Sequence, residues 1–177
     1  MPSRIAKYLQ QVIAFQPLLL VCIHFTGGMP GWGTEICPIS WCNTRTSIRN
    51  VFILHGQVLI VIEYQKAQRT TNKAFYVVRA LPPAVGKLLF HYLAFVRPFA
   101  EYLSHQVNQL DREQQKGVPY IFATSSRAPF QANQLTAVLK KHSERTCSAT
   151  LTVASYQQTV LAIAKLYIAT IAQPFNA

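Results

Sequence analysis

The sequence predicts an α+β fold dominated by helix, on three observations. Helical periodicity runs from residue 4 to 25, a hairpin signature spans 51 to 64, and helical periodicity returns from Ala84 onward. A single domain over residues 1–177 accommodates all three, since 177 residues suffice for one sizeable core.

In the first segment Ile5, Tyr8, Leu9, Val12 and Ile13 recur at helical spacing. Pro17 is expected to kink this helix or to start a second one. The glycine-rich stretch GGMPGWGTEI (27–36) ends it, and residues 34–43 read as a short helix or an irregular segment around Pro38. VFIL (51–54), His55-Gly56 and QVLIVIEY (57–64) are two β-branched runs across a tight turn, hence a hairpin. After the polar, basic loop QKAQRTTNKA, FYVVRAL (75–81) supplies a third strand, stopped by Pro82-Pro83.

Val85, Leu88, Leu89, Tyr92, Leu93 and Val96 then trace a helical stripe, with His91 beside it as an expected packing residue. Pro98 is placed to open a second helix carrying Phe99, Tyr102 and Leu103. A polar linker (108–119), the apolar segment YIFA, a turn near Pro129 and a helix from about Asn133 to His142 follow. The last helix is expected over Thr152 to Ile171, with Tyr156, Val160, Ile163 and Tyr167 facing inward.

Half of the residues are hydrophobic and 13% are charged, which argues against disorder. The 17 Lys and Arg residues outnumber six acids, for a net charge of +11, a balance that favours a polyanionic partner, nucleic acid before anionic membrane. The apolar run Val12–Phe25 is interrupted by Gln16, Pro17 and His24 and is read as too short to span a bilayer, so no membrane is expected. Nor does a signal-peptide cleavage site follow it, which suits a soluble intracellular protein.

Cys22, Cys37, Cys42 and Cys147 form no CxxC pair and have no histidine at ligand spacing, so reduced, mostly buried thiols are expected and no metal. No carboxylate pair, phosphate loop, GxGxxG, GxSxG or HExxH is present. No cofactor is expected.

GGMPGWGTEI, WCNTRTSIRNVFILHGQVLIVIEYQK and FYVVRALPPAVGKLLFHYLAFVRPF together resemble a fungal domain of Crypton-type mobile elements, also found beside telomere-linked RecQ-type helicases. That domain is similar to the catalytic core of the tyrosine recombinases, the DNA breaking-and-rejoining enzymes. The likeness runs from about Phe15 to Tyr167. It implies a mainly helical core with a small antiparallel three-stranded sheet, a nuclear location, and descent from enzymes of DNA recombination.

In such enzymes a tyrosine attacks a DNA phosphodiester. Two arginines and a histidine hold the phosphate, and a hairpin lysine protonates the leaving oxygen. Bidentate guanidinium donors meet the charge that gathers on the non-bridging oxygens, and the leaving alkoxide needs a proton from a nearby acid.

The resemblance aligns Glu35 with the acid that follows the first arginine, and places that arginine on Trp32. Lys66 in EYQKAQ matches the lysine. The second arginine falls on Gln157 in SYQQTV, and the polar donor three residues earlier falls on Ala154. The family's nucleophile lies well past the second arginine, so the chain is expected to lack that segment, and it is expected to lack the N-terminal arm domain as well. Tyr167 lies too close to Gln157 to serve. Losing one oriented donor of this kind costs about 10²–10³ in rate. The resemblance therefore implies a degenerate site in which Glu35 and Lys66 are vestigial, and a chain unable to cleave DNA. Arg→Trp and Arg→Gln each arise from one C-to-T transition, which suits a decayed mobile-element copy.

Arg45, Arg49, Lys66, Arg69, Lys73 and Arg79 lie on or beside the hairpin and its loop. The resemblance turns this cluster toward DNA, as weak, nonspecific, salt-sensitive contacts. Lys140, Lys141 and Arg145 form a second cluster, for which DNA contact and ordinary solvation are both open. The alternative function is a protein-interaction or self-associating module presenting Phe90, Tyr92, Phe95, Phe99 and Tyr102, or a remnant without selected function.

Overall fold

The computed structural model describes residues 4–64, 75–108, 117–124 and 127–168. The chain is α+β: helices packed on one face of a small antiparallel sheet.

Helix α1 (Arg4–Thr26) is continuous, with Pro17 inside it. No second helix starts at Pro17. Leu19, Leu20 and Val21 are buried immediately after the proline, and that burial offsets the roughly 3 kcal/mol that an interior proline costs a helix. By length and composition α1 could cross a membrane, which corrects the expectation that its apolar run is too short. Its second half, however, forms part of the core through Leu19, Leu20, Ile23 and His24.

A one-turn helix, α2 (Gly33–Ile36), follows the glycine turn. Strands β1 (Val51–Leu54), β2 (Gln57–Tyr64) and β3 (Phe75–Ala80) form the sheet in the order β1-β2-β3, with Val51 opposite Ile60 and Ile60 opposite Arg79. His55 and Gly56 both have positive φ, as the tight hairpin turn requires, and Gly56 takes that conformation without a Cβ penalty. Val58, Ile60 and Ile62 face the core.

Pro83 opens α3 (Pro83–His91), whose Gly86 lies so close to β2 that a Cβ there would sit 3.2 Å from the Val58 side chain. The two helices expected around Pro98 are one continuous run. A wide π turn (Tyr92–Val96) joins α3 to α4 (Arg97–Asn108), and the Arg97 amide donates to the Tyr92 carbonyl five residues back. Pro98 has no amide to give and its ring would clash with the Ala94 carbonyl in a regular helix; widening the preceding turn relieves both. Leu89 and Tyr92 are buried, whereas His91 is exposed beside Phe95, a correction to its expected packing role.

Arg97 is a buried cation. It donates to the Val118 carbonyl, to Tyr120 O at 2.6 Å and to Glu101 Oε1 at 2.9 Å, with its guanidinium 5.1 Å from the centre of the Trp41 ring. It fastens α4 to segment 117–124, which bridges to Ser40 through Tyr120.

Helix α5 (Ala132–Cys147) runs longer than predicted and stops where Ser148 adopts positive φ. Helix α6 (Val153–Ile163) continues into a π segment, Ala164–Ile168. Its buried residues are Val153 and Gln157; Ile163 and Tyr167, expected inside, are exposed because the end of the helix extends past the core. The four cysteines are free, but only Cys37 is buried, so the expectation of mostly buried thiols does not hold. Burial pushes the Cys37 thiol up to about 11, which leaves it unreactive.

Candidate functional site

The glycine turn is the node of the candidate site. Gly33 begins α2 directly against the start of α5: a Cβ on Gly33 would lie 2.7 Å from the Ala132 Cβ. No other residue fits there without displacing a helix. This contact fixes Trp32, the residue before α2, at the junction of α2, α5 and α6.

Glu35 reaches back to the turn, its Oε2 accepting from the Trp32 amide at 3.1 Å, in a capping-box arrangement. Trp32 itself is 45% exposed and forms a wall common to two clefts. The first, about 240 Å³, is lined by Trp32, Gly33, Thr34, Ala132, Thr136, Thr152, Val153 and Ala154. The second, about 180 Å³, is lined by Met29, Pro30, Trp32, Gln157, Gln158 and Leu161. Thr152 caps α6, accepting from the Ser155 amide, and sets the rotation that turns Ala154 to one cleft and Gln157 to the other. Gln157 is buried and its Nε2 donates to the Pro30 carbonyl at 3.4 Å.

Behind the turn lies a guanidinium that the sequence had grouped with the loop cations. Arg79 shares the inward face of the sheet with Ile60, and its Nη1 donates to the carbonyls of Gly27, at 3.3 Å, and Met29. A Cβ on Gly31 would lie 3.0 Å from Arg79 Nη2 and 3.2 Å from Glu35 Oε2, which places both charges beside the turn. Burial lowers the Arg79 pKa and the Glu35 carboxylate opposes that shift. Arg79 is half-buried and engaged with backbone, so it is not an exposed loop cation.

His24 is the site residue that the sequence reading did not single out. It is buried, with no hydrogen-bond partner on either ring nitrogen, packed 5.3 Å from the Tyr156 ring. Burial, and then the charge of Arg79, push its pKa down to about 4. Tyr156 in turn donates to the Phe25 carbonyl at 3.3 Å, tying α6 to the end of α1, and burial raises its own pKa. The available signal was the helical spacing of Leu20, Ile23 and His24 on one face of α1.

Thus Trp32, Glu35, Ala154, Gln157 and Arg79 gather around one turn. Lys66, Arg69 and Lys73 lie outside the described residues. Arg45 and Arg49 are exposed, Arg49 with its guanidinium 5.1 Å from the Phe52 ring centre. Lys140, Lys141 and Arg145 are exposed on α5. Among the described residues no group of three or more His, Cys, Asp or Glu side chains is arranged to hold a metal. No family model matches the chain, and no curated protein or solved structure matches it either.

Proposed function

We propose that this chain is a degenerate tyrosine-recombinase-like domain that keeps weak, nonspecific affinity for DNA and does not cleave it. The observation that supports this reading is the gathering of Trp32, Glu35, Ala154 and Gln157 at the glycine turn. In an active relative these positions would bring two guanidinium groups to one phosphate. Here they offer an indole and a neutral amide whose donor is already directed at Pro30. Neither carries the charge needed to stabilise a phosphoryl transition state.

Affinity for the DNA backbone then rests on the surplus of Lys and Arg, including the exposed Arg45 and Arg49. The same reading implies a nuclear protein of fungal mobile-element descent. Duplex affinity measured across a salt series is the test. Log affinity is expected to fall linearly with log salt, and an affinity unchanged between low and moderate salt removes the claim. A covalent adduct on a suicide DNA substrate, with protein in excess, removes the claim of inactivity.

A second reading, self-association, is favoured by Phe90, Phe95, Phe99 and Tyr102, all exposed along α3, the π turn and α4; Tyr92, grouped with them in sequence, is buried. Sizing with and without DNA separates the two.

A further inference from the structure

The sheet has a second face. Alternation along β2 sends Val58, Ile60 and Ile62 to the core and Leu59 and Val61 to the other side. Strand register adds Phe52, opposite Leu59, and Val78, opposite Val61; Tyr76 stands opposite Glu63. An antiparallel sheet with one solvated face ordinarily carries polar residues there. This one carries Phe52, Leu54, Leu59, Val61, Tyr76 and Val78, with Tyr76 58% and Val78 59% exposed.

We infer that this outer face is a stacking platform for single-stranded DNA, with Arg49, Phe52 and Tyr76 as its contact residues. The inference rests on the reading of the chain as a DNA-binding domain and names the form of DNA that the sheet takes. Three observations carry it. The net charge of +11 complements a polyanion and disfavours a second copy of the chain on the same face. The Arg49 guanidinium already lies over Phe52, a cation–π shelf on which a base stacks while guanidinium N–H groups reach its phosphate. Both aromatic rings belong to strands rather than loops, so the sheet fixes their separation.

That separation is four residues along β2 and two strands across, about 17 Å at a rise of ~3.4 Å and a strand spacing of ~4.8 Å. Phe52 and Tyr76 therefore engage different bases, with the aliphatic floor of Leu59, Val61 and Val78 between them. Glu63 is the acid on this face, beside Tyr76. It repels phosphate there, so the strand's backbone runs nearer Arg49. In a duplex the base faces are occupied by their neighbours, and the platform has nothing to stack on.

The experiment is fluorescence anisotropy with labelled oligo-dT and a duplex of equal length, at one fixed salt, using the whole chain. Oligo-dT is expected to bind more tightly than the duplex. Phe52→Ala and Tyr76→Ala are each expected to weaken oligo-dT binding by about 5- to 150-fold while leaving duplex affinity and the salt slope unchanged. Arg49→Ala is expected to flatten the single-strand salt slope by about 0.7. Phe52→Leu and Tyr76→Leu keep the apolar area without the π face, and should bind as weakly as the alanine variants. If the leucine variants bind oligo-dT like the parent, base stacking on Phe52 and Tyr76 is not the contact and the inference is overturned. Duplex binding equal to single-strand binding overturns it while leaving the proposed DNA affinity standing; binding to neither removes both. Circular dichroism of each variant confirms that loss of binding is not loss of fold.

Discussion

Gly33 and Ala132 meet at a distance that leaves no space for a side chain on the glycine, so the start of α2 and the start of α5 touch backbone to side chain. The glycine turn is therefore a packing device as well as a turn, and it holds Trp32 at the boundary between two clefts. Gly33→Ala forces a methyl to within 2.7 Å of the Ala132 Cβ. A loss of about 1–3 kcal/mol is expected, read as a lowered midpoint in thermal or denaturant unfolding. Gly28→Ala tests a different property. An added Cβ there meets open space, but the residue has φ +88, so any loss comes from backbone strain alone.

Arg97 supports a second prediction. Its guanidinium joins two backbone carbonyls, a carboxylate and the Trp41 ring, and Arg97→Ala leaves the carbonyls of Val118 and Tyr120 without this donor. The expected cost is about 2–4 kcal/mol. Arg97→Lys should recover only part of it, because a point ammonium cannot span the same fork of acceptors. Equal stability of the arginine and lysine forms in urea would show that the geometry of the fork does not matter.

His24 predicts a pH dependence. Its folded pKa is about 4 and its ordinary value 6.5, so the unfolded chain takes up the proton first as pH falls. Above 6.5 both states are neutral at this residue and nothing is lost. Between 6.5 and 4 stability declines, by at most about 3 kcal/mol, and below 4 this contribution is constant. His24→Phe, which keeps an apolar ring beside Phe25 and Tyr156, is expected to flatten the stability profile over that window. An unchanged profile in the variant assigns the acid sensitivity to another group.

Trp32→Arg tests the degenerate-site reading directly. Trp32 is exposed enough to be replaced without disturbing the core. A guanidinium at this position is expected to raise duplex affinity and steepen the log–log salt slope by about 0.9, one added phosphate contact. A slope equal to the parent's would mean that the turn does not face DNA.

The hairpin and its turn were legible because β-branched runs around His55-Gly56 admit few alternatives. Helix existence was legible too, but boundaries and faces were less so. Ile163 and Tyr167 kept the apolar period of α6 after the helix had passed the core, and periodicity cannot report where neighbouring elements end. Pro17 and Pro98 suggested breaks; burial around the one and a widened turn before the other let the helices continue. In the candidate site, Trp32, Glu35 and Gln157 were singled out through the family resemblance, whereas Arg79 was grouped by charge. The alternation of β3 shows its inward direction only once the pairing of Arg79 with Ile60 is known. His24 gave little sign, because a lone histidine on an apolar face has the same pattern whether or not its nitrogens find partners.

The π turn at Tyr92–Val96 has one more consequence. A regular helix advances about 100° per residue, so the wide turn acts as a phase shifter between the two halves of a 26-residue rod, Pro83–Asn108. Upstream, the phase sets Gly86 and Leu89 against the sheet; downstream, it aims Arg97 at Trp41 and segment 117–124. Close the wide turn into regular helix at the same length and the downstream half rotates by about 100°, the angle of one residue, carrying the cation away from its acceptors and setting the Pro98 ring against the Ala94 carbonyl.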